Sequence, residues 1–111
     1  MEITNKKDLL NAINKDGCAL KYASKELLKD KDIILKAVKN NGLALQYADD
    51  FKFDLEIIYE ALKENEFSFS YVPVSIRNEY ANDSRIFIEK YKHNNKKNDS
   101  FLNKFKSLFN K

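Results

Sequence analysis

Apolar residues recur along this chain at helical spacing, and the same arrangement returns three times. Leu9, Ala12 and Ile13 follow Asn5, Ile34, Ala37 and Val38 follow Asp30, and Ile58, Ala61 and Leu62 follow Asp54. Spacings of three and four place each trio on one face of a helix, with Lys, Asn and Glu on the other. Residues 5–23 align without a gap on residues 30–48 at a spacing of 25, and these on residues 54–72 at a spacing of 24. Asn or Asp at the start of each run is a good N-cap, because its short side chain accepts an orphan N–H of the first turn. The central Ala lets a neighbouring helix approach closely.

The first two helices are expected to stop at Asp16-Gly17 and Asn41-Gly42, with glycine in the left-handed conformation that commonly ends a helix. A short segment follows: Ala19-Leu20-Lys21-Tyr22-Ala23, then Ala44-Leu45-Gln46-Tyr47-Ala48, then Ser68-Phe69-Ser70-Tyr71-Val72. Its composition predicts a one-and-a-half-turn helix packed on the long one. In the third copy Glu66 replaces glycine, and Phe67, Ser68 and Phe69 raise strand propensity. Pro73 suits the first turn of a short helix over residues 73–80. Asp83 is expected to cap a helix from Ser84 to about His93, with Ile86, Phe87 and Tyr91 facing inward. Residues 94–98 read as a polar loop, and Phe101, Leu102, Phe105, Leu108 and Phe109 line one side of a final amphipathic helix.

The pattern therefore predicts an all-α fold, in which short helix pairs of period 24–25 stack into a small solenoid-like bundle with a C-terminal amphipathic helix. One domain spans residues 1–111, with units at 5–29 and 30–53, a degenerate unit at 54–82, a partial one at 83–98 and a basic helix at 99–111. Two glycines and one proline argue against a sandwich or barrel, which need many tight turns.

Residues 16–38, DGCALKYASKELLKDKDIILKAV in one-letter code, resemble the repeat of the DUF4116 family, a domain of unknown function. That family's signature is similar to D-x-x-x-V-L-x-A-V-x-x-x-G-x-A-L-x-Y-A-S-x-x-L-x-x-D, and the resemblance covers residues 5–72. It implies a helical repeat module, found in bacterial, viral and protist proteins, with no catalytic motif to carry over.

Charge and chemistry narrow the functional classes. The net charge of +3 divides into −3 up to Asp83 (12 basic, 15 acidic) and +6 from Ser84 onward (8 basic, 2 acidic). The single cysteine, Cys18, has no internal disulfide partner, and the single histidine, His93, cannot build a metal site alone. Cys18 shares a column with Leu43 and Phe67, so a buried small hydrophobe is the economical reading. Most of the aspartates are accounted for by caps and turns. No catalytic residue, metal site or cofactor is expected. Neither a secretory leader nor a run of about 18 apolar residues is present, so the expectation is a cytoplasmic protein.

Tyr22, Tyr47 and Tyr71 form an equivalent column that either packs between units or presents an aromatic ladder. Phe67 and Phe69 join them as candidate contacts. Lys96, Lys97, Lys104 and Lys106 surround the apolar face of the last helix, which either caps the stack or engages a partner. The expected function is a non-enzymatic protein-interaction module with a protein partner, a small inhibitor or adaptor that occludes a macromolecule. The alternative is a nucleic-acid or anionic-membrane binder acting through the basic C-terminal helix.

Overall fold

In the computed structural model, which describes residues 2–96, each of the three repeated N-caps starts a ten-residue helix. Helix α1 (Lys6–Lys15) follows Asn5, α2 (Lys31–Asn40) follows Asp30, and α3 (Leu55–Glu64) follows Asp54. Asn5 accepts the Asp8 N–H at 3.1 Å, Asp30 that of Asp32 at 3.0 Å, and Asp54 those of Glu56 and Ile57 at 2.9 and 3.2 Å.

The helix ends differ from the glycine-cap expectation. Asp16, Asn41 and Asn65 end the helices in extended backbone. Their side chains then accept the N–H groups of Cys18, Leu43 and Phe67 at 2.9, 3.0 and 2.9 Å. One short polar residue thus closes an α-helix and opens a six-residue 3-10 helix: η1 (Gly17–Tyr22), η3 (Gly42–Tyr47) and η5 (Glu66–Tyr71). In the 3-10 form side chains three apart eclipse, so Gly17 and Leu20, and likewise Gly42, Leu45 and Ala48, line one buried edge. The third copy takes the same form, and the strand propensity of Phe67 and Phe69 gives way to the Asn65 cap and to packing.

Neither glycine has a positive φ. Glycine is required for another reason: a Cβ at Gly17 would collide with the carbonyl oxygen of Ala37, and one at Gly42 with that of Ala61. The 3-10 helices η1 and η3 therefore lie directly on the backbone of the next α-helix. The freed N–H groups are taken from that helix as well, Gly17 donating to Asn40 Oδ1 at 2.7 Å and Gly42 to Glu64 Oε1 at 2.6 Å. Nδ2 of Asn41 reaches Asp16 Oδ1 at 3.1 Å.

Two layers result. Helices α1, α2 and α3 lie side by side, η1, η3 and η5 form a second row, and η1 and η3 also contact the α-helix that follows. Between the layers sit Leu9, Ile13, Ile34, Val38, Ile58 and Leu62 with Leu20, Leu45 and Val72, all buried. The chain returns from one unit to the next through η2 (Leu27–Lys29) and η4 (Asp49–Phe53), and Leu27, Leu28 and Phe51 pack on the core from these returns. At the N-terminus Ile3 bridges to the end of η1, donating to the Tyr22 carbonyl at 2.6 Å.

After η5 the return changes. Helix α4 (Val74–Glu79) starts after Pro73, and a turn with left-handed Ala81 and Asn82 leads to Asp83. Asp83 accepts the Arg85 N–H at 2.9 Å and opens α5 (Ser84–Lys96), which packs along α3. Tyr91 stacks on Tyr59 with ring centroids 4.5 Å apart, and the buried Phe87 meets the Tyr80 ring edge-on at 4.8 Å. The inward face of α5 is Phe87, Ile88 and Tyr91; Ile88 takes the core position expected of Ile86, because α3 lies one step further round the helix. Residues 94–96, expected in a loop, continue α5. The amphipathic helix expected at 99–111 lies outside the described residues. Among the described residues no helix is long and apolar enough to cross a membrane.

The glycine assignment predicts an asymmetry between equivalent positions. Gly42→Ala should lower stability in urea denaturation by about 1–3 kcal/mol, since a methyl group is forced into a filled contact. Glu66→Ala, at the matching site, should stay within about 0.5 kcal/mol of wild type. Equal losses would refute the close-approach role.

Candidate functional site

The 3-10 row sorts its side chains by threes. Cys18 with Lys21, Leu43 with Gln46, and Phe67 with Ser70 form the outward edge: Phe67 is 76% exposed, and Cys18 and Leu43 are half-buried. Cys18 is partly buried and packs against the core from this edge. Its thiol is pushed up, first by partial burial and then by the Asp16 carboxylate, with Lys21 acting the other way. That is the opposite of an activated thiolate.

The tyrosine column occupies the adjacent edge. Tyr22 and Tyr71 are each 37% exposed, while Tyr47 between them packs partly on the core, as does Phe69. The Lys21 ammonium lies 5.0 Å from the Tyr22 ring centroid, in cation–π range. These aromatics sit on neighbouring 3-10 helices, whereas Lys96 ends α5 and Lys97, Lys104 and Lys106 lie outside the described residues. Among the described residues no group of three His, Cys, Asp or Glu side chains could hold a metal ion.

Several exposed apolar residues fall in and beside the third unit, where the pattern that joins one unit to the next is altered. Between the first units, Lys6 reaches Asp30 at 2.9 Å, and Lys31 reaches Asp54 at 3.1 Å and Glu56 at 2.8 Å. The N-cap aspartates Asp30 and Asp54 thus also bind the first lysine of the preceding helix. The third member of that lysine column is Leu55, 40% exposed. Asp83, the next cap, is held by Arg85 of its own helix, with guanidinium contacts of 3.2 and 3.0 Å. In the glycine–alanine contact, Glu66 and Lys90 take the third place, and α5 makes no packing with η5 comparable to that of α2 with η1. Phe53 and Val74, each 60% exposed, flank the same unit.

Phe53, Leu55 and Val74 carried no signal in periodicity. Leu55 was detectable only as an apolar residue in a column that otherwise holds lysine.

The sequence profile described as Domain of unknown function (DUF4116) matches residues 5–52 and again residues 38–77, well over half of the chain. The chain belongs to the DUF4116 family. No curated protein and no solved structure matches it. Within the DUF4116 matches lie all five 3-10 helices of the described residues, with Phe67 and Leu55, while α5 lies beyond them.

The joints between units carry a pH dependence. Asp30 is held below the usual carboxylate range, chiefly by the Lys6 ammonium; Asp16 by the Cys18 N–H and then Asn41; Asp83 by the Arg85 guanidinium. These groups contribute stability above the ordinary carboxylate range, and it is lost as pH falls through their depressed values. Lys6 is pushed up by Asp30, and Lys31 by Glu56 and Asp54, so their contribution is complete below the lysine range and is lost only as pH rises beyond it. The melting temperature should therefore drop on acidification below about pH 4. Asp30→Asn keeps an equally good cap but removes the ion pair, so its acid decline should be shallower. Superimposable acid limbs would refute the assignment.

Proposed function

We propose that this DUF4116 chain is a non-enzymatic protein-interaction module, acting as a small inhibitor or adaptor that occludes a macromolecular partner. In this reading its units form a short solenoid-like stack whose last joint is left open for a partner. The observation that supports it most is the exposed apolar set Phe67, Leu55, Phe53 and Val74, concentrated on and beside the one unit whose joining residues are replaced. In this reading they contribute to one contact surface, of the kind that exposed apolar patches commonly mark. Tyr71, on the same 3-10 helix as Phe67, adds an aromatic of the kind that anchors interfaces.

The test is affinity capture from the native cell with wild type and with Phe67→Asp/Leu55→Asp. Both positions are exposed, so the variant should melt near wild type. It should lose its captured protein, since removing an interface anchor costs about 2 kcal/mol or more, roughly thirtyfold in affinity. A folded variant that captures the same protein equally well would refute the reading.

The charge division supports a second reading, a binder of nucleic acid or anionic membrane through the C-terminal segment, whose residues from Ser84 onward carry +6. Here Lys97→Gln/Lys104→Gln/Lys106→Gln in the full chain should abolish binding to anionic vesicles or to an oligonucleotide, and wild-type binding should weaken steeply with salt. Salt-insensitive association, or none in wild type, would remove this alternative.

A further inference from the structure

A second surface lies on the other side of the molecule's pattern, where the returns of the first two units run beside each other. Two depressions of about 270 and 300 Å³ share Lys25, Leu28 and Asp49 and so form one trough. Its apolar lining is Leu28 with Phe51 at one end and Tyr47 at the other, all resting on the core.

Charge along the trough is uneven. At the Tyr47 end Lys21, Lys25 and Lys52 face a single carboxylate, Asp49. At the Phe51 end Lys25 and Lys29 are balanced by Asp49 and Asp50. Among the described residues no ion pair engages Lys21, Lys25 or Lys52, although Asp49 lines the same trough; Lys29 is paired with Glu26 at 3.4 Å. Elsewhere on these units lysines meet aspartate caps directly, as Lys6 and Lys31 do. A concentration of ammonium groups without a carboxylate ion pair among the described residues, beside an apolar slot and within a stretch of net charge −3 up to Asp83, is a local inversion of the body's charge. Asp49 is also held in the left-handed region at φ 53°, a conformation that Asp tolerates better than most residues.

We propose that this trough binds an acidic peptide segment of a partner protein, with an apolar side chain over Leu28 and Phe51 and carboxylates over Lys21, Lys25 and Lys52. The apolar end supplies a desolvated anchor, and the lysines supply attraction and orientation. Phosphates of a nucleic acid would use the lysines but leave the Leu28–Phe51 slot without an aliphatic occupant. The inference rests on the protein-interaction reading but uses residues apart from Phe67 and Leu55, so each surface can fail alone.

The experiment is selection of a random-peptide display library against the full chain, followed by fluorescence anisotropy with the synthetic peptides it enriches. Enriched sequences should pair an apolar residue with a cluster of Asp and Glu. Their affinity should fall about tenfold or more on Lys21→Glu/Lys25→Glu/Lys52→Glu, fall with salt, and be unchanged by Phe67→Asp/Leu55→Asp. If the reversal variant does not fold, Lys21→Gln/Lys25→Gln/Lys52→Gln gives the same comparison with a smaller loss. Amide chemical shifts should move at residues 20–29 and 46–52. Selection of neutral or basic peptides, or of none, overturns the proposal, as does lysine-independent binding. A single-stranded oligonucleotide that binds more tightly than the peptides with the same lysine dependence overturns it too. Peptides sensitive only to Phe67 and Leu55 would reject the trough and leave the first surface standing.

Discussion

The contact of a glycine with the backbone carbonyl of the next helix sets the spacing of this molecule. At Gly17 against Ala37 and at Gly42 against Ala61 there is no room for even one carbon. Because the two backbones meet so closely, the glycine N–H groups reach Asn40 and Glu64, and Leu20 and Leu45 enter the space between the layers. A lifted 3-10 helix would lose those hydrogen bonds and uncover those leucines together. Alanine on the receiving helix serves the same end, since a longer side chain there would hold the layer away.

The third unit departs from the pattern only in part. Its internal parts are intact: Asp54 caps, Asn65 closes and reopens, and Ile58, Ala61 and Leu62 are buried. What differs are the residues that would grip a following unit, where Glu66 stands for glycine and Leu55 for lysine. The first unit differs at the opposite side. Its cap, Asn5, is neutral where Asp30 and Asp54 are charged. Helix α5 covers α3 through aromatic stacking of Tyr59, Tyr91 and Phe87.

Much of this was legible in the sequence because it is local. Caps, core columns and the position of each helix end follow from spacings of three, four and eleven within one unit. The reason for the glycines was not legible, since it depends on a carbonyl some twenty residues further on. A six-residue helix is too short for its period to reveal a 3-10 rather than an α turn, so which side chains share its outward edge was hidden with it. Leu27, Leu28 and Phe51 lie in aperiodic returns, and Ile88 replaces Ile86 because the covered face of α5 is set by α3. The tyrosine column was visible, but its uneven exposure comes from position in the stack, with Tyr47 flanked on both sides.

The side-chain hydrogen bonds that join units span 22 to 26 residues, from Gly42–Glu64 to Asn40–Asn14. Each joint therefore closes only a short loop of chain, at little entropic cost. Such a topology has low contact order, which favours fast folding, and any neighbouring pair of units can serve as the nucleus from which order spreads. Opening should begin at the outer units and leave the middle one, flanked by both glycine contacts, as the last to exchange its amide protons.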